Sequence, residues 1–105
     1  MEFLCVLKLE PHYDNLANWT DATRQVQNDH WNNLVKLHSE GKVKFVARTN
    51  YPIGHEFIRG YAIYTADSES AAREMMLNDP CIVNGVMLGE LHPLLLFMLG
   101  DKLIE

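Results

Sequence analysis

Basic residues are scarce in this sequence and never adjacent: nine Lys and Arg stand against fourteen Asp and Glu, for a net charge of -5. Nucleic acid and anionic lipid are gripped by a concentrated cationic face that displaces counterions. Neither is expected as a partner. Cysteine is sparse too. Cys5 and Cys81 form neither a CxxC step nor a metal-type cluster, and with no secretion signal they read as reduced thiols. No apolar run is long enough for a bilayer. The longest, Val86 to Leu99, has 14 residues and is broken by Glu90, His92 and Pro93, where a span needs about 20. Met1-Glu2-Phe3 enters an apolar alternation with no basic leader or cleavage site, so the expectation is a cytoplasmic protein. Internal repeats, linkers and low-complexity segments are missing as well. What remains is the composition of an ordinary globular protein, 105 residues with 48% hydrophobic and 22% charged, expected to form one domain over residues 1–105.

The hydrophobic period switches in a definite order. Glu2 to Leu9 alternates and reads as a strand, ended by Pro11. From about Asn18 to Glu40 the positions Trp19, Ala22, Val26, Leu34 and Leu37 keep helical spacing, and Gly41 stands where a C-terminal cap belongs. Val43 to Arg48 reads as a short strand, Thr49 to Phe57 as a loop with Pro52 and Gly54, and Ile58 to Thr65 as a second alternating strand paired with it. Asp67 or Ser68 caps a second helix through Ala71, Ala72, Met75 and Met76, which Asp79-Pro80 closes. A last strand runs from about Val86 to Phe97. Strand, helix, strand, strand, helix, strand is the α+β, ferredoxin-like βαββαβ order, with both helices on one face of a four-stranded antiparallel sheet. Its other face should alternate into polar residues if water covered it. Leu4 and Val6, together with the run Leu94-Leu95-Leu96-Phe97, break that rule. The expectation is a homodimer whose sheets pack through the open face.

His30 is the first candidate for chemistry. At about 100° per residue, with Trp19 at the centre of the inward stripe, Val26 falls about 20° to one side and His30 about 20° to the other. An inward imidazole needs a hydrogen-bond partner. A backbone carbonyl or a water would satisfy it as plain core packing. Asp79 is the partner that would make it chemistry, although Asp before Pro is also ordinary punctuation at the end of an element. With both helices on one face, the end of the second can approach the middle of the first. A carboxylate there would fix the imidazole tautomer and leave the other nitrogen free for proton transfer.

Asp29-His30-Trp31-Asn32-Asn33-Leu34 through Glu40-Gly41-Lys42-Val43, then Ser68-Glu69-Ser70-Ala71-Ala72, then Asn78-Asp79-Pro80 with Val83-Asn84-Gly85-Val86, together resemble the YCII-related proteins of the dimeric α/β barrel superfamily over nearly the whole chain. The resemblance implies that His30 and Asp79 take the places of the family's His and Asp pair. The family often carries an Arg one turn before the His, where Val26 and Gln27 stand here. It tends to Gly-Pro after the second strand, where Arg48-Thr49 stands. One family member is a dehydrochlorinase of aromatic degradation, and ring-lactone isomerases are superfamily relatives.

Arg48 and Arg59, at strand ends, could hold an anionic substrate group by bidentate contacts. His55, in the loop, could sit on a lid over the site. Cys81 reads as a small buried hydrophobe before a nucleophile. The five histidines make no metal-ligand pattern, and no metal or other cofactor is expected. Two readings follow. One is a cofactor-independent lyase or isomerase moving a proton on a small cyclic or aromatic acid. The other is a non-catalytic ligand-binding or structural dimeric module.

Overall fold

In the computed structural model the described residues are 1–100 together with the backbone of 102 and 103. The chain forms β1 (Glu2–Leu9), two 3-10 turns (Pro11–Asp14 and Leu16–Asn18), α1 (Asp21–Ser39), β2 (Val43–Arg48), β3 (Gly60–Thr65), α2 (Glu69–Leu77), α3 (Pro80–Val83) and β4 (Met87–Leu94). A small hairpin of β5 (Met98–Leu99) and β6 (Lys102–Leu103) follows. The four long strands make one antiparallel sheet in the order β2-β3-β1-β4, the ferredoxin-like arrangement expected of the sequence.

Most elements start where local chemistry says they should. Helix α1 begins at a capping box: Thr20 Oγ1 accepts the Thr23 N–H at 3.2 Å, and the Thr20 N–H donates to Thr23 Oγ1 at 3.1 Å, satisfying two donors that a helix start would otherwise strand. Trp19 therefore lies outside α1. Its indole N–H donates to the Tyr13 carbonyl at 2.8 Å, tying the 3-10 turns to the helix start. Ser68 caps α2 through the Ala71 N–H.

Three expectations are corrected. Asp79-Pro80 does not close α2, which ends at Leu77 with Asn78 as its cap; it opens the short helix α3, with Asp79 as N-cap and Pro80 in the first turn. A proline there gives up an N–H that has no helical partner anyway. The last long strand stops at Leu94 instead of Phe97, because Leu94 pairs with Glu2 and β1 has only Met1 left beyond it. Finally, Ile58 and Arg59 belong to the loop, and β3 begins at Gly60.

The core lies between the helices and one face of the sheet. Phe3, Cys5 and Leu7 of β1, Ala62 and Tyr64 of β3 and Leu91 of β4 pack against Leu34 of α1 and against Ala72 and Met76 of α2. A second cluster of Leu9, Cys81 and Val86 sits beside it, flanked by Trp19, Val26 and Ile53. In register terms Leu7, Gly60, Gly89 and Arg48 form one cross-strand row on this face. Gly60 carries no side chain there, so the sheet is thin beneath α1.

The loop between β2 and β3 is held down at Gly54. Its φ is +93°, and a Cβ would stand 2.5 Å from the backbone oxygen of Asp14. An L side chain is strained in that conformation and has no room besides. Gly54→Ala should therefore lose about 1–3 kcal/mol of stability in urea unfolding; an unchanged midpoint would show that the loop does not rest on the 3-10 turn.

Candidate active site

The site begins with the short helix α3. Asp79, its N-cap, accepts the Cys81 N–H on Oδ1 at 2.8 Å, which fixes the carboxylate relative to the backbone. Helix α1 packs against α3 and brings His30 to it. His30 Nδ1 lies 2.8 Å from Oδ1 and 2.7 Å from Oδ2 of Asp79. A carboxylate offers acceptors only, so Nδ1 carries the hydrogen and donates. In the neutral imidazole the lone pair then sits on Nε2. Asp79 is 1% exposed, whereas the His30 side chain keeps 13% of its surface open. The carboxylate is sealed inside and the imidazole reaches the surface of a cavity.

That cavity, of about 510 Å³, lies between α1 and the thin part of the sheet. Trp19, Trp31, Leu9, Ile58 and Met87 line it around His30. Arg48 and Arg59 line it, and no Asp or Glu does. For a chain with more acids than bases, a cavity lined by cations alone favours an anionic occupant. The two arginines differ. Arg59 Nη1 donates to the carbonyls of Glu56 and Ile58 at 3.1 and 2.7 Å, so its guanidinium is partly spent on its own loop. Arg48 has no such bond and no acidic partner among the described residues.

His55 does not line the cavity. Its ring stacks on Tyr51 at 4.0 Å and 9°, and its Nδ1 accepts the Phe57 N–H at 3.0 Å, so it stiffens the loop. Cys81 is fully buried, and burial followed by the nearby Asp79 charge pushes its thiol up to about 12. Burial likewise raises Cys5 to about 11, against a lowering contact from Tyr64, and burial with the Cys5 neighbour raises the Tyr64 hydroxyl. None of these groups is a thiolate or phenolate near neutrality, so none is an activated nucleophile. Donor atoms of His30, Asp79 and Cys81 lie within 4.8 Å of one another. The His30 nitrogen and the Asp79 oxygens already bond to each other, and the thiol would have to lose a tightly held proton before it could hold a metal.

One site contact was not assigned from the sequence. Gln27, one turn before His30, lines the cavity. Gln27 was legible in principle, because positions three apart share a helix face.

Asp79→Asn tests the central bond without changing its shape. The amide oxygen can still cap α3, and its NH2 would face Nδ1, so the imidazole should switch to the Nε2–H tautomer. Nitrogen-15 NMR of the ring should show Nδ1–H in the wild type and Nε2–H in the variant, with stability lower by about 1–3 kcal/mol. The same tautomer in both would mean that Asp79 does not orient the ring.

The YCII-related domain family model matches residues 1–89, from β1 into β4. No curated protein sequence matches the chain. Among solved structures, 5-chloro-2-hydroxyhydroquinone dehydrochlorinase from Burkholderia phenoliruptrix, in complex with 2,5-dihydroxybenzoquinone, is similar with a TM-score of 0.59 and 17% identity, over 90% of this chain and 93% of that one. At that identity the likeness speaks for the fold. The family match spans the capped α1 with His30, the Asp79-Pro80 step and most of the sheet between them, and the chain belongs to the YCII-related family.

Proposed function

We propose that the protein is a cofactor-independent enzyme of lyase or isomerase type, in which His30, oriented by Asp79, moves a proton on a small cyclic or aromatic acid. The observation that carries this reading is an imidazole whose Nδ1 is held by a buried carboxylate while its other face opens on a cavity. An orienting carboxylate and a basic nitrogen facing a pocket are what general base catalysis on a bound substrate uses. The volume falls within the range of about 300–1,000 Å³ usual for small-molecule sites.

The step is simple. Nε2 takes a proton from carbon, the C–H pair moves into the ring and onto a conjugated oxygen, and Asp79 stabilises the imidazolium. The proton then returns to a different carbon, which isomerises the substrate, or the pair expels a leaving group from the adjacent carbon, which eliminates it. Arg48 is the group we assign to the substrate's carboxylate. Arg59 stands second to it, and His55 supports the loop without touching the substrate. The dehydrochlorination named for the structural neighbour is an elimination from a hydroxylated ring, and chlorinated hydroxyhydroquinones with small ring lactone acids are the first substrates to screen.

Once turnover is found, His30→Ala should reduce it by at least about 100-fold with the circular dichroism spectrum retained. Turnover that survives the substitution would refute the base assignment. A loss of stability with no activity in any variant would favour the binding module.

We also infer a homodimer through the open sheet face. Phe45, Ile63 and Leu4 form one apolar cross-strand row on that face. Phe45 at 43% and Leu88 at 48% remain exposed there, as expected of an interface awaiting its partner. Light scattering should give twice the chain mass, and Phe45→Glu with Leu88→Glu should halve it. A monomeric wild type would end this inference.

A further inference from the structure

The dyad is not the only polar group that α1 presents to the cavity. Gln27 precedes His30 by one turn and lines the same space. Its Oε1 lies 3.6 Å from Cys81 Sγ. The thiol sets the orientation of the amide. Cys81 is fully buried and keeps its proton, so its S–H needs an acceptor, and the Gln27 carbonyl oxygen supplies it. The other end of the amide is then a donor. Its two N–H groups have no acceptor among the described residues, at the edge of a cavity with no carboxylate in its wall. A partly buried NH2 group so placed is left to bond whatever oxygen enters.

The same tripeptide therefore orients two side chains of α1. Asp79 holds His30 Nδ1, and two residues later the Cys81 thiol holds Gln27 Oε1, with the Cys81 N–H bonded back to Asp79 at 2.8 Å. We propose that Gln27 is a substrate contact, its amide N–H donating to the substrate oxygen on which negative charge develops as His30 takes the proton. This rests on the proton-transfer reading of His30 and names the group that receives the displaced electron pair. As the C–H bond breaks and N–H forms on Nε2, the pair ends on a carbonyl oxygen as an enolate or phenolate. A fixed neutral donor stabilises that oxygen more as an anion than as a ketone, which is the condition for lowering a barrier.

The probe is 4-nitrophenol, whose absorbance distinguishes bound phenol from bound phenolate. It is titrated into the wild type, Gln27→Leu, Gln27→Glu and His30→Gln, each checked for native fold by its amide NMR spectrum. In the wild type the phenolate form should gain on binding, and the Gln27 side-chain NH2 resonances should move. Gln27→Leu should weaken phenolate binding about tenfold. Gln27→Glu keeps an acceptor for the Cys81 thiol but replaces the donor with an oxygen, and should weaken it at least as much. If Gln27 served only to satisfy Cys81, Gln27→Leu would lower stability and leave phenolate binding like that of the wild type. Affinity within twofold of wild type in both Gln27 variants, with the NH2 resonances unmoved, would overturn the proposal. Should His30→Gln still weaken binding in that case, the His30 reading stands alone. A wild type that takes no probe, or affinities equal across all four proteins, would overturn both.

Discussion

Asp79 is the constraint on which the rest of this site depends. A carboxylate sealed from water loses several kcal/mol of hydration unless charge-assisted hydrogen bonds replace it. Here the replacements are the His30 N–H and the Cys81 N–H. The first belongs to the middle of α1 and the second to the opening turn of α3, so one buried charge joins two elements 49 positions apart in the chain. Neither contact is dispensable. Removing the imidazole strands the carboxylate, and removing the carboxylate leaves a helix start and an inward histidine each short of a partner. Structure and chemistry therefore lean on the same bond, which is why substitutions that conserve shape are more informative at this pair than truncations.

The cavity is a consequence of small side chains as much as of large ones. Gly60 faces α1 from the sheet in the same row as Leu7 and Arg48, and a Cβ there would meet only Leu7 atoms at 3.7 Å or more. Space that a branched residue would fill is left open beside His30. The walls on either side are aromatic and aliphatic, and such walls strengthen every polar interaction made between them by keeping the local dielectric low.

Much of this was legible in the sequence, and the reasons differ by element. Strand β1 and helix α1 announce themselves through period and punctuation, because each turns one face to the core. The approach of His30 to Asp79 was legible because an inward imidazole must be satisfied, and the topology leaves few groups within reach. The role of the Asp79-Pro80 step was misread. The same dipeptide that can end a helix can begin one, and only the four residues Pro80–Val83 folding as a turn of helix distinguish the cases. The end of β4 depends on how far β1 extends beside it, a tertiary fact no local pattern carries. Gln27 was seen only as standing where the family's Arg would be, because a glutamine on a helix flank resembles any solvated residue until the thiol beside its amide is found.

Cys81 illustrates how position settles chemistry. A thiol beside a histidine invites a nucleophile reading, and activation of that kind requires the imidazole to draw the thiol's proton away. Here Nδ1 of the imidazole is already donating to Asp79, and the carboxylate, being negative, opposes a second anion at Cys81. Burial acts in the same direction. The thiol is left as a donor, and its acceptor is the amide that faces the cavity. The negative charge of Asp79 thus acts on both neighbours: it accepts the Nδ1–H of His30 and opposes a thiolate at Cys81. A site arranged in this way presents an oriented imidazole to the cavity and no activated thiol for covalent attack.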